Sequence, residues 1–363
     1  MQSNPFIGVI LHATGGLAAA SFYLPYKRIR RWNWEIYWIL GGVFSWLIAP
    51  IAAALIILAI YYRFPLMQLF KTSPIGAIIQ AFTFGMLWGV GGLTFGLSMR
   101  YLGIALGCCI ALGFCAAFGT LLPPLVEGTF PALIHTSSGR VILIGIVMCL
   151  VGIAVSGVAG ISKERELSQE QKQAAVEEFN FIKGLGVATF CGLLSACMSF
   201  ALSAGHPIAQ YAIKLGAPDL WSGLPVLVII LLGGLLSNAI WCAALIRKNK
   251  SLPEVVGLGR AAGISKAALA LNFLLAAAGG ITWYLQFFFY TMGASLMGRK
   301  YGFSSWTLHM STIIIFSTIW GILLREWKGS SLRTYLFVAV GLVTLIFSTV
   351  IIGYGNFLAT EIR

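Results

Sequence analysis

The sequence predicts an all-α integral membrane protein of ten transmembrane helices, arranged as two inverted five-helix repeats. Three observations carry that prediction. Ten charge-poor apolar windows each reach the length of a bilayer span, and the 24 lysines and arginines fall in short clusters between them. Glycine and tryptophan motifs of the first five windows also recur, in the same order, in the last five.

The windows cover residues 5–26, 36–62, 74–99, 101–122, 141–160, 184–205, 220–246, 267–292, 303–324 and 334–355. At about 1.5 Å per residue, a helix needs about 20 residues to cross about 30 Å of hydrocarbon. In lipid, only helices and closed barrels satisfy every backbone polar group, and runs this long are helical. Composition agrees: the chain is 59% hydrophobic and 10% charged, where soluble domains carry about 25% charged residues. A net charge of +13 on a soluble chain would point to nucleic acid. Here it reads as loop charge facing anionic lipid, with the bilayer and not nucleic acid as the partner.

Seven cysteines (Cys108, Cys109, Cys115, Cys149, Cys191, Cys197 and Cys242) all fall inside apolar windows without a C-x-x-C pair. They read as buried thiols in helix packing, so no metal or cofactor is expected. Residues 1–5 lack a positive n-region and the first window contains His12, so no cleavable signal is expected.

Ten spans place both termini on one side. Loops after the odd-numbered spans hold 17 of the basic residues, including Lys27, Arg28, Arg30, Arg31, Arg247, Lys248 and Lys250; the other loops and the C-terminal tail hold 7. Basic loops stay in the cytoplasm, so both termini are expected in the periplasm of a bacterial inner membrane. The mixed-charge stretch 162–183 is expected to be a cytoplasmic linker, a short helix, between a first half (1–161) and a second half (184–363).

The halves are related through aligned positions. Setting Gly8 on Gly184 superposes Gly16 on Gly192, Leu17 on Leu193 and Ala20 on Ala196. Gly85-x-x-Trp88 followed by Phe95 recurs as Gly280-x-x-Trp283 followed by Tyr290. With five spans in each half, the second repeat runs opposite to the first, as in secondary transporters whose site lies near the midplane. The glycine clusters, Gly15-Gly16, Gly89-x-Gly91-Gly92 and Gly279-Gly280 among them, allow close helix packing and leave room for a substrate.

Intramembrane ionisable groups are costly and therefore candidates for function. All eleven carboxylates lie in loops or at helix ends, leaving His12 and His309 as the interior proton carriers. For each, proton coupling stands beside a neutral imidazole bonded between helices. Glu35 follows Trp32-Asn33-Trp34 at the start of the second span. It reads either as a helix-terminal carboxylate below an interfacial tryptophan belt or as a proton-handling gate opposite Lys27 and Arg28. Trp283, Gln286, Phe287 and Tyr290 share one helical face at i, i+3, i+4 and i+7. That stripe of ring, amide and phenol suits a small polyol with one apolar face; packing against a neighbouring helix is the alternative. Asn238 is a further intramembrane amide, and Trp88 is a facing aromatic plate. Glu127 and Glu326 are expected to close hairpins.

These residues resemble the L-rhamnose–proton symporters, a branch of the drug/metabolite transporter superfamily. The resemblance runs through Gly8 to His12, Phe22-Tyr23-x-Pro25-Tyr26-Lys27, Trp32-x-Trp34-Glu35, Gly96 to Gly103, the eight residues Trp283 to Tyr290, Trp306-x-Leu308-His309-Met310-Ser311 and Leu324 to Trp327. It implies proton-driven uptake of L-rhamnose, or of L-lyxose or a related sugar, by ten helices in inverted five-helix repeats; the expected mechanism is alternating access around a central cavity of spans 1, 3, 6 and 8, with span 9 as a further candidate. Its partners would be the sugar and protons. An exporter of another small metabolite is the alternative, although a cation exporter would want a buried carboxylate. An enzyme is not expected, because the chain has no H-E-x-x-H or G-x-S-x-G set.

Overall fold

Apolar runs without internal breakers fold as helices, and a helix follows each window in the computed structural model. It describes residues 4–102, 104–126, 128–166, 181–297, 304–324 and 327–361, with no strand among them. The long helices are α1 (Pro5–Tyr26), α2 (Trp34–Tyr61), α3 (Ile75–Leu102), α4 (Ile104–Val126), α5 (Ser137–Glu166), α6 (Phe181–Ala204), α7 (Leu224–Asn249), α8 (Lys266–Met297), α9 (Ser304–Leu323) and α10 (Leu332–Glu361). Among the described residues, nine helices are long and apolar enough to cross a membrane; α4 contributes the shorter apolar stretch Ile110–Val126.

Short helices at Leu66–Thr72, Phe130–His135 and His206–Lys214 fill connections that read as loops in the sequence. Of the linker expected over 162–183, residues 162–166 continue α5 and 181–183 belong to α6. The rest of it lies outside the described residues, as do Glu127 and Glu326.

Two compact units form. Unit 1 holds Met1–Leu17, Val90–Phe200 and Met292–Arg363; unit 2 holds Ala18–Gly89 and Ala201–Thr291. The divisions fall inside α1, α3, α6 and α8, so neither unit is a half of the sequence.

In unit 1, α5 and α10 lie antiparallel in a single register. A methyl on Gly145 would meet Ile352, one on Gly152 would meet Leu345, one on Gly341 would meet Ser156, and one on Gly355 would meet Ile142. Spaced by threes and fours, these positions form a small-residue seam with coiled-coil periodicity. The seam is closed at one end by Glu166, whose carboxylate accepts from Ser331 N (2.7 Å), Ser331 Oγ (2.5 Å) and Thr334 Oγ1 (2.6 Å) at the start of α10. A carboxylate there satisfies N-terminal donors and faces the positive end of the helix dipole. Gly16 of α1 packs on Thr312 of α9, and Gly192 of α6 packs on Ala111 and Phe114 of α4.

In unit 2, backbone meets backbone. A methyl on Gly85 of α3 would lie 2.1 Å from the Ile230 carbonyl oxygen of α7, and one on Gly280 of α8 would lie 2.1 Å from the Gly41 carbonyl oxygen of α2. Tyr26 fills the space above Gly41 and Gly279.

Two predictions follow from this packing. Gly85→Ala should force α3 from α7 at a cost of about 1–3 kcal/mol, read as a lower Tm in detergent. Gly76→Ala, on the same helix with nothing within 4 Å, should leave Tm unchanged. The hydrogen bonds from Ser331 and Thr334 hold the Glu166 carboxyl down to about 2. A depressed carboxyl stabilises above its ordinary range and loses that contribution as pH falls through about 2. Wild-type Tm should therefore converge on that of Glu166→Gln as pH drops from 4.5 towards 2, and a constant difference would show that the carboxylate does not cap α10.

Candidate functional site

The candidate residues fall into two sets, one within each unit. Unit 2 carries the aromatic set. α2 presents Trp34, Trp38, Gly42 and Trp46 at steps of four, which keeps them near one helix face. Trp283 of α8 stands edge-on to three rings: Phe22 (3.9 Å between centroids), Trp38 (5.5 Å) and Trp46 (6.4 Å). Trp88 of α3 meets Trp46 at 6.3 Å and Phe287 at 5.4 Å, again nearly perpendicular. Trp46 thus stands between the two tryptophans matched by the internal repeat. Edge-to-face packing of this kind is favourable and fixes each ring's direction.

Gln286, Phe287 and Tyr290 are buried on the same helix as the half-buried Trp283. Asn238 is also buried, and its amide is committed to the scaffold. Its Oδ1 accepts from Trp38 Nε1 at 2.9 Å, and its Nδ2 donates to Gly234 O (2.9 Å) and Gly89 O (3.3 Å). Asn238 therefore ties α7 to α2 and α3 and aims Trp38. Four enclosed polar atoms here, Trp46 Nε1, Trp283 Nε1, Ser45 Oγ and Tyr284 Oη, have no hydrogen-bond partner among the described residues.

At one end of this unit, the connection between α1 and α2 is knitted to the one between α7 and α8. Glu35, 4% exposed, accepts from Asn249 Nδ2 (2.9 Å) and Ser251 Oγ (2.7 Å). Asn33 N donates to Glu254 Oε2 at 2.6 Å, and Arg30 and Asn272 exchange two bonds. Trp32, expected in an interfacial belt, makes its hydrogen bond within the protein. It is buried, donates to the Glu254 carbonyl at 2.8 Å and packs edge-on against Phe273. The segment Leu252–Ala261 supplies both its cover and its acceptor, so lipid headgroups are not needed for its N–H.

Unit 1 carries the histidine set. His12 of α1 and His309 of α9 are fully buried with ring centroids 6.4 Å apart. Thr312 Oγ1 bonds both main chains, at 3.1 Å to His12 O and 2.9 Å to His309 O. Gly293 makes room for the imidazole: a methyl there would lie 3.0 Å from His12 Nε2. Every residue from Ser304 to Thr312 is buried, and several of the polar side chains find partners on neighbouring helices, while Ser305 Oγ has none among the described residues. Trp306 Nε1 donates to Cys115 O (3.1 Å), Thr307 pairs with Thr120 (2.6 Å), and Ser311 pairs with Cys149 (3.2 Å). Two histidines far apart in sequence therefore share one polar pocket of helix packing. Among the described residues, no group of three or more His, Cys, Asp or Glu side chains comes together.

Trp38, Trp46 and Thr312 were not singled out from sequence. The four-residue steps from Trp34 to Trp46 were a usable signal for the first two; Thr312 had none.

The chain is similar over its length to one transport family. The family model described as L-rhamnose-proton symport protein (RhaT) matches residues 1–358. An L-rhamnose-proton symporter of Cronobacter sakazakii is 39% identical over 355 residues, covering 98% of this chain and 99% of that protein. One from Yersinia pestis is 36% identical with the same coverage.

Asn238→Leu should orphan Trp38 Nε1 and weaken the α2–α7 contact, at about 1–3 kcal/mol. Trp38→Phe in the same background should add little, since the bond is already gone. Additive losses in Tm would separate the two residues.

Proposed function

The chain belongs to the L-rhamnose–proton symport protein family, and we propose that it carries L-rhamnose, or L-lyxose or a related sugar, into the cell together with a proton. That family is one of transporters, not enzymes. The observation that carries the reading is the unit 2 cluster, where tryptophan rings, a buried glutamine and enclosed unmatched polar atoms occur together. Ring faces accept the C–H face and methyl group of a deoxy sugar, and polar atoms accept or donate to its hydroxyls. Trp88 and Trp283 supply the apolar contact. Gln286 and Tyr290 bind hydroxyls, and Asn238 contributes through the Trp38 indole that it orients. His12 and His309 carry the proton, with Glu35 as a further titrating group at the end of unit 2. Coupling requires that protonation change the relative free energies of the sugar-loaded states.

The proposal includes ten spans in two inverted repeats (1–161 and 184–363, joined by 162–183), periplasmic termini, alternating access in the bacterial inner membrane, and placement in the drug/metabolite transporter superfamily. Glycine contacts support the repeat. Gly16 packs on α9 and its mate Gly192 on α4; Gly85 packs on α7 and its mate Gly280 on α2. The helices that the mates contact are themselves mates, as expected of a two-fold relation that takes α1, α2, α3 and α4 to α6, α7, α8 and α9. The knitted connections support α4 as a span. They join the ends of α1 and α7, and an even number of crossings from α2 to α7 is reached only when α4 is counted. Nothing observed favours a metabolite exporter.

The test is radiolabelled L-rhamnose uptake with external alkalinisation in de-energised cells. Rhamnose-dependent alkalinisation is expected, abolished in His12→Ala with the protein still in the membrane. Gln286→Leu should lower uptake far more than Gln171→Leu. Uptake without alkalinisation would remove proton coupling, and no uptake by inserted protein would remove the sugar assignment.

A further inference from the structure

The second span carries a device that these sugar and proton residues do not use. Pro50 lies inside α2 and has no N–H, so the hydrogen-bond ladder loosens before it. Over Phe44–Ile48 the turn widens, and the Ala49 N–H reaches back five residues to Phe44 O. The helix widens again over Ala54–Tyr61, which buries only Ala54 and Leu58; widened turns inside α-helices are frequent at functional sites. The Phe44–Ile48 turn buries two consecutive residues, Ser45 and Trp46. A methyl on Gly42 would lie 2.4 Å from Trp46 Cζ3 and 2.6 Å from Cε3. The benzene edge of the indole therefore rests on Gly42, and the opposite edge, which bears Nε1–H, is turned away from it.

Hydrogen bonding separates Trp46 from its neighbour Trp38. Trp38 Nε1 is matched by Asn238 at 2.9 Å. Trp46 Nε1, Ser45 Oγ and Trp283 Nε1 are enclosed without a partner among the described residues, and the Trp46 and Trp283 rings stand 6.4 Å apart. Native interiors match nearly all their buried donors, and an unmatched one calls for a water or a ligand group. Two unmatched indole donors in one aromatic cluster, with an unmatched hydroxyl on the residue next to one of them, fit a ligand that brings several acceptors of its own.

We propose that Ser45 and Trp46, on the widened turn of α2, are specificity-determining residues of the sugar site: Trp46 Nε1–H and Trp283 Nε1–H donate to hydroxyl oxygens of one bound pyranose, and Ser45 Oγ exchanges a bond with a third hydroxyl. This rests on the unit 2 cluster being the sugar site. Pro50 and Gly42 act as positioning residues, the first by widening the turn and the second by seating the indole.

The experiment measures initial rates of L-rhamnose transport in proteoliposomes of the full chain. Variants are Trp46→Phe, which keeps a ring and removes the N–H, and Ser45→Ala, which removes one oxygen. The control is Trp241→Phe, at an exposed tryptophan of α7 outside the cluster. Trp46→Phe is expected to raise KM roughly tenfold, the loss of one buried hydrogen bond, with maximal rate per inserted protein retained. Ser45→Ala should raise KM several-fold, and Trp241→Phe should match wild type. Monodeoxy analogues of L-rhamnose add a readout that packing damage does not move. The analogue lacking the hydroxyl read by Trp46 should bind wild type more weakly than rhamnose does, yet equal rhamnose in Trp46→Phe.

If Trp46→Phe fails to insert, Ser45→Ala and the wild-type analogue series decide the matter. Wild-type KM in Ser45→Ala, with no analogue penalised, would overturn the proposal, as would unchanged KM in Trp46→Phe. Absence of L-rhamnose transport by inserted wild-type protein would instead overturn the sugar-site reading itself.

Discussion

Close contact of helix backbones through glycine is the constraint on which the rest of this structure depends. In hydrocarbon no hydrophobic force draws one apolar helix to another, so packing and polar bonds must do so, and both need short approach distances. Gly85 against the Ile230 carbonyl, Gly280 against the Gly41 carbonyl, and the Gly145–Gly152–Gly341–Gly355 seam of α5 and α10 provide that approach. Close helices in turn hold the side chains that carry chemistry. Gly42 seats Trp46, Gly279 and Gly41 leave room for Tyr26, and Gly293 admits the imidazole of His12. A transporter of charged or hydroxylated cargo needs polar groups where lipid offers no solvent, and small residues are what permit them to be enclosed.

The two units divide the chemistry. Unit 1 holds the histidine pair within hydroxyl-bearing helices, where Thr312 meets two carbonyls, Thr307 meets Thr120 and Ser311 meets Cys149, while Ser305 Oγ and Asn356 Oδ1 are enclosed without a partner among the described residues. Unit 2 holds rings and amides, and there Trp46 Nε1 and Trp283 Nε1 are enclosed without a partner among the described residues. Matched networks rigidify, and unmatched enclosed donors are the natural points of ligand contact. The side-chain types differ between the units: imidazoles and hydroxyls in one, tryptophan rings and amides in the other. Asn238 shows how the two kinds of role adjoin: an amide that reads as a sugar ligand in sequence is used by the fold to aim a tryptophan.

Much of this was legible in the residues. Each apolar window became a helix with ends shifted by a few residues, because length and hydropathy are local properties that tertiary packing does not reverse. The inward face of α8 was legible from helical spacing, and Gln286, Phe287 and Tyr290 are all buried there. The partner of Trp32 was not legible, because an N–H near a span end can be satisfied by lipid headgroups or by a loop. Only the fold of Leu252–Ala261 decides for the Glu254 carbonyl. The stripe from Trp34 to Trp46 was visible but carried no mark separating a packed tryptophan from one with an open donor.

What the sequence by itself determined is the membrane-spanning helical class, the approximate position of each long helix, the family, and the short inventory of polar groups available inside the bilayer. These follow from composition, spacing and local motif, since a helix in lipid closes its own backbone bonds whatever surrounds it. Only the tertiary structure decided which of those groups meet. It brought His12 to His309 across 297 positions of chain, locked Glu35 to Asn249 and Ser251, matched the indole of Trp38 and left that of Trp46 without a partner among the described residues. Pairing between distant helices depends on approach distance and rotation about each helix axis, and neither quantity is written in any local stretch of residues.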